Sequence, residues 1–298
     1  MKISFLSKFV VNLRQIKSPF THSPSSTHTM KTSLIITTYN SPSYLTLTLK
    51  SVLNQTVMPD EVIIADDGSG DETRELIDSF RKIFPVKLVH VWHPDEGFRL
   101  AAIRNKAIAK ASGEYIIQID GDIILHPEFI ADHLKYATKG CFVGASRTFV
   151  KQNYSEKMLR SGQFDYAKLK ENSKNKLNSI RIPMLTSLLK YQRSHDKLTI
   201  RGCNMAYWKE DAIKINGYNE AFKGWGSEDC DFSVRLSNLG RKKLWLKFSA
   251  IEYHTFHPEN SREQKSTNRS MVEDALSRHL TYVTDGIVKE KPDERQTS

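Results

Sequence analysis

Four short apolar runs, separated by segments with helical spacing, constrain the fold of this chain most strongly. The strand-like runs cover residues 33–40, 62–65, 86–91 and 115–119. Apolar side chains recur with the period of a helix in residues 45–53, 73–80 and 100–111. This repeated strand–helix order predicts a mostly parallel, doubly wound α/β sheet, because neighbouring parallel strands need a helical crossover between them.

The fourth strand-like run ends in an acidic segment, Asp120-Gly121-Asp122. The two-residue period of a strand places Asp120 and Asp122 on one face, at the carboxyl end where open α/β sheets bind ligands. Two such carboxylates can hold one hard divalent cation, Mg²⁺ or Mn²⁺. The competing interpretation is a surface turn, since turns use aspartate freely.

A second acidic segment, residues 224–232, reads Gly-Trp-Gly-Ser-Glu-Asp-Cys-Asp-Phe and leads into a helical pattern over residues 229–239. Glu228 and Asp229 are adjacent, so crowding can raise the pKa of one carboxyl and suit it to proton transfer. The glycines allow close backbone approach, and Trp225 offers a flat apolar surface. The competing interpretation is an ordinary helix N-terminus, where acidic side chains are favoured.

Charge is distributed unevenly along the chain. The 298 residues include 44 Lys and Arg against 34 Asp and Glu, a net charge of +10. Residues 1–30 hold four basic residues and no acidic ones, and residues 151–200 hold eleven basic against four acidic residues. Such local excesses fit an anionic membrane surface or an anionic substrate. Nucleic acid is the competing partner, but we expect no nucleic-acid binding because no recognised module for it is present.

The composition and the cysteines also indicate in which cellular compartment the protein is expected. With 39% hydrophobic and 26% charged residues, the chain is predicted to be globular and soluble. No apolar stretch reaches the roughly eighteen residues of a spanning helix. Cys141, Cys203 and Cys230 have no metal-ligand spacing and leave an odd thiol, so we expect a cytoplasmic protein without disulfides. The basic, mildly amphipathic residues 1–13 would allow peripheral contact with the inner face of the cytoplasmic membrane.

Several motifs in order along the chain resemble a known enzyme family. Four segments resemble the successive nucleotide-sugar motifs of inverting GT-A glycosyltransferases of family 2. They are Ile-Ile-Thr-Thr-Tyr-Asn (35–40), Ile-Ile-Ala-Asp-Asp-Gly-Ser (63–69), Gly-Phe-Arg-Leu-Ala-Ala-Ile-Arg-Asn (97–105) and Ile-Asp-Gly-Asp (119–122). A later block, residues 202–232, is similar to β-1,4-galactosyltransferases and bacterial chondroitin-polymerase-type domains. The resemblance covers residues 33–260.

The resemblance implies roles for residues that would bind the donor. Thr37, Tyr39 and Asp66 would meet the nucleoside, with the tyrosine ring on uracil and the carboxylate accepting the imide N–H. Arg99 and Arg104 could both pair with the diphosphate. The resemblance favours Arg99 for the nucleotide, with Arg104 and Asn105 bracing the loop as the alternative. Asp120, at the end of the fourth strand, would face the ribose or the diphosphate.

Catalytic roles follow from the same resemblance. Asp229 would be the base that removes the proton of the acceptor hydroxyl, and its neighbour Glu228 would bind acceptor or donor. Trp225 would present its ring to a sugar face, and Gly226 would let the backbone approach the bound sugar.

The resemblance further implies a metal site. Asp122 would bind Mn²⁺ or Mg²⁺ directly, and a further ligand would come from residues 251–257, where two histidines follow a strand-like run. Family spacing favours His254 for that position, with His257 as the second choice.

The implied function is metal-dependent, inverting transfer of a hexose or N-acetylhexosamine from a UDP-sugar to a glycan or lipid-linked saccharide acceptor. Synthesis of a bacterial surface polysaccharide, such as lipopolysaccharide or capsule, is the expected setting. One alternative is a non-catalytic nucleotide-sugar-fold module of a synthesis complex. Another, a sugar-phosphate nucleotidyltransferase, should carry a glycine-rich basic loop after the first strand, where this chain has Thr-Thr-Tyr-Asn-Ser (37–41).

The expected organisation is a single GT-A catalytic domain with an insertion and a helical C-terminal tail. Its segments are a basic, disordered extension (1–30), a nucleotide-sugar-binding half (31–145), a basic insertion or flap (146–198), an acceptor-binding and catalytic half (199–260) and a tail (261–298) with a helix over 270–283.

Overall fold

The computed structural model of the chain describes residues 30–258 and 264–289. The predicted extension over residues 1–30 lies outside the described residues except for Met30.

A seven-stranded sheet forms the centre of the fold. Its spatial order is β3 (Lys87–Trp92), β2 (Glu61–Asp66), β1 (Thr32–Thr38), β4 (Tyr115–Asp120), β8 (Met205–Trp208), β6 (Cys141–Ala145) and β9 (Lys242–Leu246). All neighbouring strands are parallel except β8, which runs antiparallel to both β4 and β6. The predicted mostly parallel, doubly wound sheet is confirmed.

Helices cover both faces of this sheet. One face is covered by α1 (Pro42–Leu53), α2 (Asp71–Arg81) and α4 (Phe129–Tyr136), and the other by α3 (Leu100–Lys110), α8 (Lys209–Lys214) and α9 (Glu228–Asn238). Strand β1 has apolar side chains on both faces of the sheet. Leu34 and Ile36 pack in the apolar core on one face and Ile35 in the core on the other, as the two-residue period of a strand requires. Burial of apolar side chains on both sides fixes the register of the central strands.

A second, smaller sheet sits beside the carboxyl end of β4. It consists of β5 (Ile123–Leu125), β10 (Glu252–His254) and β7 (Arg147–Phe149), in that spatial order. Strand β5 begins one residue after Asp122, and His254 pairs with Ile123 in the antiparallel ladder. The small sheet therefore carries a histidine from the far end of the chain to the acidic segment after β4.

Residues 146–198 form a compact segment of short elements, where the sequence rhythm of the sheet fails. They comprise strand β7, helices α5 (Gln152–Ser161), α6 (Tyr166–Glu171) and α7 (Pro183–Leu189), and a 3₁₀ helix (Lys176–Ser179). A separate core ties this segment to the small sheet, with Met158 and Leu169 packing against Ile124 and Tyr253. The segment thus borders the candidate site.

The C-terminal helix α10 spans Lys265–Ser277, earlier than the predicted 270–283. The helix stops because His279 adopts a left-handed conformation (φ 53°), and the N–H of Leu280 bonds back to the carbonyl of Ala275. Helix α10 packs on α9 through Val272 and Ala275. None of the helices in the described part of the chain is long and apolar enough to span a membrane.

Candidate active site

The carboxyl ends of three parallel strands bring predicted donor-binding residues together. Thr37 of β1 is in register with Asp120 of β4, and the Thr37 hydroxyl donates to Asp120 Oδ1 at 2.8 Å. Asp66, at the end of β2, is fully buried. It accepts the N–H of Ser69 at 2.9 Å, and its Oδ2 lies 2.8 Å from His90 Nε2. Asp66 therefore holds the loop after β2, a local role that the sequence motif does not reveal.

Two further predicted donor-binding residues lie on exposed loops. The Tyr39 side chain is 47% exposed, and its hydroxyl donates to Asp95 Oδ2 at 2.8 Å. Arg99 donates its backbone N–H to Asp67 Oδ2 at 2.9 Å, and its guanidinium pairs with Glu96. Both side chains stand at the rim, and neither touches an acidic segment within residues 30–258 and 264–289.

Arg104 joins the two acidic segments. Its side chain is 1% exposed, and its Nη1 lies 2.9 Å from Glu228 Oε1 and 2.7 Å from Asp229 Oδ1. Its Nη2 donates to Asp120 Oδ1 at 3.2 Å. The guanidinium also lies 5.1 Å from the centre of the Tyr218 ring. One buried cation therefore contacts three carboxylates. Asp120 lies over a hundred residues before Glu228 and Asp229 along the chain.

Asp229 is fixed on its other side by the backbone of a 3₁₀ helix (Gly202–Asn204). The N–H of Gly202 donates to Asp229 Oδ2 at 2.6 Å. A side chain at this position would displace the groups that Gly202 contacts, because a Cβ would lie only 2.6 Å from Arg104 Nη2 and 2.8 Å from Asp229 Cγ. The Asp229 side chain keeps 20% of its surface exposed, so it faces the outside while both its oxygens are oriented.

Glu228 differs from its neighbour in environment. Its side chain is only 8% exposed. Burial, together with the adjacent charge of Asp229, raises the pKa of Glu228 to about 7, although Arg104 opposes the shift. The expected crowding effect therefore falls on Glu228.

Helix α9 is entered through a strained turn. Gly224, Gly226 and Ser227 all have positive φ, 66°, 103° and 77°, a conformation that is costly for Ser227 because it carries a Cβ. The Asn268 amide of α10 donates to the carbonyl of Gly226 at 2.9 Å. The turn holds the Trp225 side chain 42% exposed beside the acidic pair.

Asp122, His254 and His257 form a candidate metal site, with one potential ligand atom from each within 4.8 Å of the others. Asp122 Oδ2 lies 3.4 Å from His254 Nε2 and 3.0 Å from His257 Nε2. Asp122 Oδ1 is buried and has no hydrogen-bond partner in the described part of the chain. An unsatisfied buried carboxylate oxygen is suited to binding a divalent cation.

The backbone holds this candidate metal site firmly. Thr255 donates its N–H and its hydroxyl to the carbonyl of Asp122, at 3.0 and 2.7 Å. The hydrogen bond to Asp122 raises the pKa of His257 to about 9, whereas burial lowers the pKa of His254. The structure thus places both histidines beside Asp122, where the sequence pattern favoured one.

The cysteines take no part in the site chemistry described so far. Cys141, Cys203 and Cys230 are free thiols. Cys203 lies behind the candidate metal site, where its Sγ contacts Glu252 Oε1 at 3.3 Å. Burial raises the pKa of Cys203 well above its usual value, which keeps the thiol neutral and unreactive.

Two protein-family models match this chain. The family model described as Glycosyl transferase family 2 matches residues 33–198, and the model described as N-terminal domain of galactosyltransferase matches residues 183–258. Together the two matches cover the strand ends, both acidic segments and both histidines. The predicted resemblance is confirmed.

The chain is similar in sequence to curated glycosyltransferases and polysaccharide synthases. The chain is 24% identical over 266 residues to chondroitin synthase of Escherichia coli, covering 84% of this chain and 38% of that protein. It is 27% identical over 227 residues to validoxylamine A glucosyltransferase of Streptomyces hygroscopicus subsp. limoneus, covering 72% of this chain and 50% of that protein. The chain therefore spans half or less of the length of these curated relatives.

A solved structure shows the same fold. The structure of S. aureus TarS 1–349 in complex with UDP-GlcNAc aligns with a TM-score of 0.60 at 20% identity, covering 82% of this chain and 65% of that one. The fold is that of GT-A glycosyltransferases. Because the first family model matches more than half of its residues, the chain belongs to glycosyl transferase family 2.

Proposed function

We propose that this protein transfers a hexose or N-acetylhexosamine from a UDP-sugar to a glycan acceptor, with inversion at the anomeric carbon. The observation that carries the proposal is the buried Arg104, which holds Asp120 of the donor-side segment and Asp229 of the second segment in one cluster. Donor and base would thereby be held at a fixed spacing, as in-line attack requires.

The donor would lie across the carboxyl ends of β1, β2 and β4. Thr37 and Asp120 are hydrogen-bonded there, so Asp120 is oriented for the ribose or diphosphate. The exposed ring of Tyr39 is available to stack on a uracil. Arg99 would have to exchange its partner Glu96 for the diphosphate, an exchange that is easy for an exposed pair.

The acceptor would approach from the side of Trp225. As the acceptor oxygen bonds to the anomeric carbon, its proton passes to the carboxylate of Asp229, and the bond between the anomeric carbon and the diphosphate breaks to release UDP. Arg104 and the Gly202 N–H orient that carboxylate at 2.7 and 2.6 Å. Glu228, with a pKa near neutrality, would hydrogen-bond acceptor or donor.

Asp122, His254 and His257 would hold a divalent cation at the donor diphosphate. When bound, Mn²⁺ or Mg²⁺ would neutralise the charge that develops on the leaving diphosphate. Two imidazoles beside one carboxylate favour Mn²⁺, because Mg²⁺ prefers oxygen ligands alone.

The biological setting is proposed from the relatives. Chondroitin synthase makes a polysaccharide, and TarS binds UDP-GlcNAc. We infer that this chain serves a bacterial surface polysaccharide, as a cytoplasmic enzyme with peripheral contact to the inner membrane face. The basic excess of residues 151–200 supports contact with anionic partners.

The decisive experiment is release of UDP from a panel of UDP-sugars, with Mn²⁺ and with EDTA. We expect metal-dependent release from one donor, lost in Asp122→Asn and Asp229→Asn. Asp71→Asn is the matched control, since Asp71 lies in the first turn of α2 with a side chain 76% exposed. Donor binding without turnover, unchanged by Asp229→Asn, would instead favour a non-catalytic module.

A further inference from the structure

A second concave surface adjoins the candidate active site. We call it the basic pocket. It has a volume of about 210 Å³. Its lining residues are Ser146, Arg147, Phe149, Asn175, Asn178, Arg193, Thr199, Arg201, Trp245 and Lys247. Most of them belong to the segment 146–198. Thr199 and Arg201 precede the 3₁₀ helix Gly202–Asn204, and Trp245 and Lys247 lie in and directly after β9.

The lining carries four cationic side chains and no carboxylate. In the described part of the chain, none of Arg147, Arg193, Arg201 and Lys247 forms an ion pair with an acidic residue. Arg147 Nε is buried and has no hydrogen-bond partner there. Four converging positive charges with an unsatisfied buried N–H favour an anionic ligand, because charge-assisted hydrogen bonds would satisfy both.

Aromatic rings hold two of these guanidinium groups in place. Arg147 lies 4.4 Å from the centre of the Phe149 ring, and Arg193 lies 5.1 Å from the centre of the Trp245 ring. Stacked guanidinium groups are well suited to bidentate binding of a carboxylate or phosphate. Asn175 adds a neutral polar side chain to the lining, which suits hydroxyl groups beside the anion.

The basic pocket and the proposed base, Asp229, are contacted by neighbouring residues of the chain. Arg201 directly precedes Gly202, whose N–H donates to Asp229 at 2.6 Å. On the other side, Arg147 Nη1 lies 4.0 Å from Cys203 Sγ. A saccharide whose hydroxyl reaches Asp229 would therefore extend toward Arg201 and the pocket.

We propose that the basic pocket binds a carboxylate or phosphate group of the acceptor, so that the acceptor is an anionic saccharide. The inference rests on the proposed function for the location of the acceptor. A volume of about 210 Å³ accommodates one charged group with part of its sugar and would not match a flat lipid surface.

Binding titrations test the inference without any need for turnover. The protein, saturated with UDP and Mn²⁺ so that the donor site is filled, is titrated with methyl β-glucuronide against methyl β-glucoside, and with glycerol 3-phosphate against glycerol. We expect at least about tenfold tighter binding of the charged member of one pair. The pair that responds identifies carboxylate or phosphate.

Variants test whether the preference for charged ligands arises in the basic pocket. Arg193→Gln/Lys247→Gln should bring the charged and neutral ligands to within about threefold of each other, because two of the four cations are removed. Lys168→Gln/Lys170→Gln removes two exposed charges on α6 outside the lining and should keep the preference. Equal binding of charged and neutral ligands by the unmodified protein, or a preference that survives the pocket variant, would overturn the inference.

Two further results separate the possible outcomes. Flotation with vesicles that contain phosphatidylglycerol, lost only in the pocket variant and without binding of either charged ligand, would assign the pocket to a membrane and reject the inference. A charged-ligand preference in a protein that releases no UDP from any donor would keep the pocket and reject the proposed transfer reaction. The two proposals can therefore fail independently.

Discussion

Replacement of Gly202 by alanine should disable the proposed base while leaving the fold in place. The Cβ of the alanine would lie 2.8 Å from Asp229 Cγ and 2.6 Å from Arg104 Nη2. Ordinary van der Waals contact begins at 3.4 Å, so the Asp229 carboxyl must move by about 0.6 Å or more. That movement lengthens and weakens the hydrogen bond from the Gly202 N–H to Asp229 Oδ2, now 2.6 Å long, and turns the carboxylate away from its present orientation.

The effect on turnover should be large for so small a change. A displacement approaching 1 Å in a catalytic group lowers the rate by about a hundredfold, or roughly 2.7 kcal/mol in activation free energy. We expect a fall of this size in kcat for sugar transfer by Gly202→Ala. Circular dichroism and thermal unfolding would verify that the variant is folded, since Gly202 itself has no positive φ and alanine adds no backbone strain there.

Gly70→Ala is the matched control for this experiment. A Cβ at Gly70 would meet no heavy atom of residues 30–258 and 264–289 within 4 Å, and Gly70 directly precedes α2. This variant should keep kcat within about twofold of the unmodified protein, as is usual for substitutions that disturb no contact. A Gly202→Ala protein with unchanged kcat would refute the reasoning, because the base would then tolerate displacement or be another group.

Three further changes test the electrostatics of the site. Arg104→Met leaves buried carboxylates without their cation and should lower the free energy of unfolding by about 3–5 kcal/mol at pH 8, measured with urea. The loss should be smaller at pH 5, because Glu228, whose pKa is raised to about 7, then carries a proton. The raised pKa of Glu228, from 4.5 to about 7, means that its contribution to stability is full below 4.5 and is lost as pH rises through 7. Between pH 5 and pH 9, the free energy of unfolding of Glu228→Gln should therefore rise relative to that of the unmodified protein, by up to about 3 kcal/mol in urea unfolding. A difference between the two proteins that is independent of pH would contradict this. His254→Ala and His257→Ala should each weaken Mn²⁺ binding, followed by electron paramagnetic resonance, by at least about tenfold, whereas the exposed control His195→Ala should leave it unchanged.

The first four strands of the sheet and the helices between them could be predicted because their signals are local. Apolar runs, helical spacing and polar turns each lie within a dozen residues, so the order of strands and helices is visible in the sequence. The first acidic segment also falls where a parallel sheet exposes its strand ends, as Thr37 and Asp120 show by their register. The shorter elements of residues 146–198 lack such periodicity, and their positions depend on packing against the small sheet.

The partners within the site could not be predicted, because they depend on contacts between distant parts of the chain. Arg104 lies 124 and 125 residues from its two partners in the second acidic segment, and an arginine inside a helix gives no sign of which carboxylate it will meet. The sequence likewise did not show that both His254 and His257 would reach Asp122. The strand β10 ends at His254, and the chain then turns so that His257 also reaches Asp122.

The cluster around Arg104 is an arrangement that stability alone does not favour. It places one buried cation among three carboxylates, so at least one acidic group keeps an unfavourable environment. Burial raises the pKa of both Glu228 and Asp120, which shows that these two carboxyls bear that cost. Nearby, Ser227 adopts a left-handed conformation that glycine would adopt more easily. Such conflicts between local preference and the folded state concentrate at functional sites. Their coincidence at the junction of β4 and α9 therefore supports the same location for catalysis that the strand ends and the candidate metal site support independently.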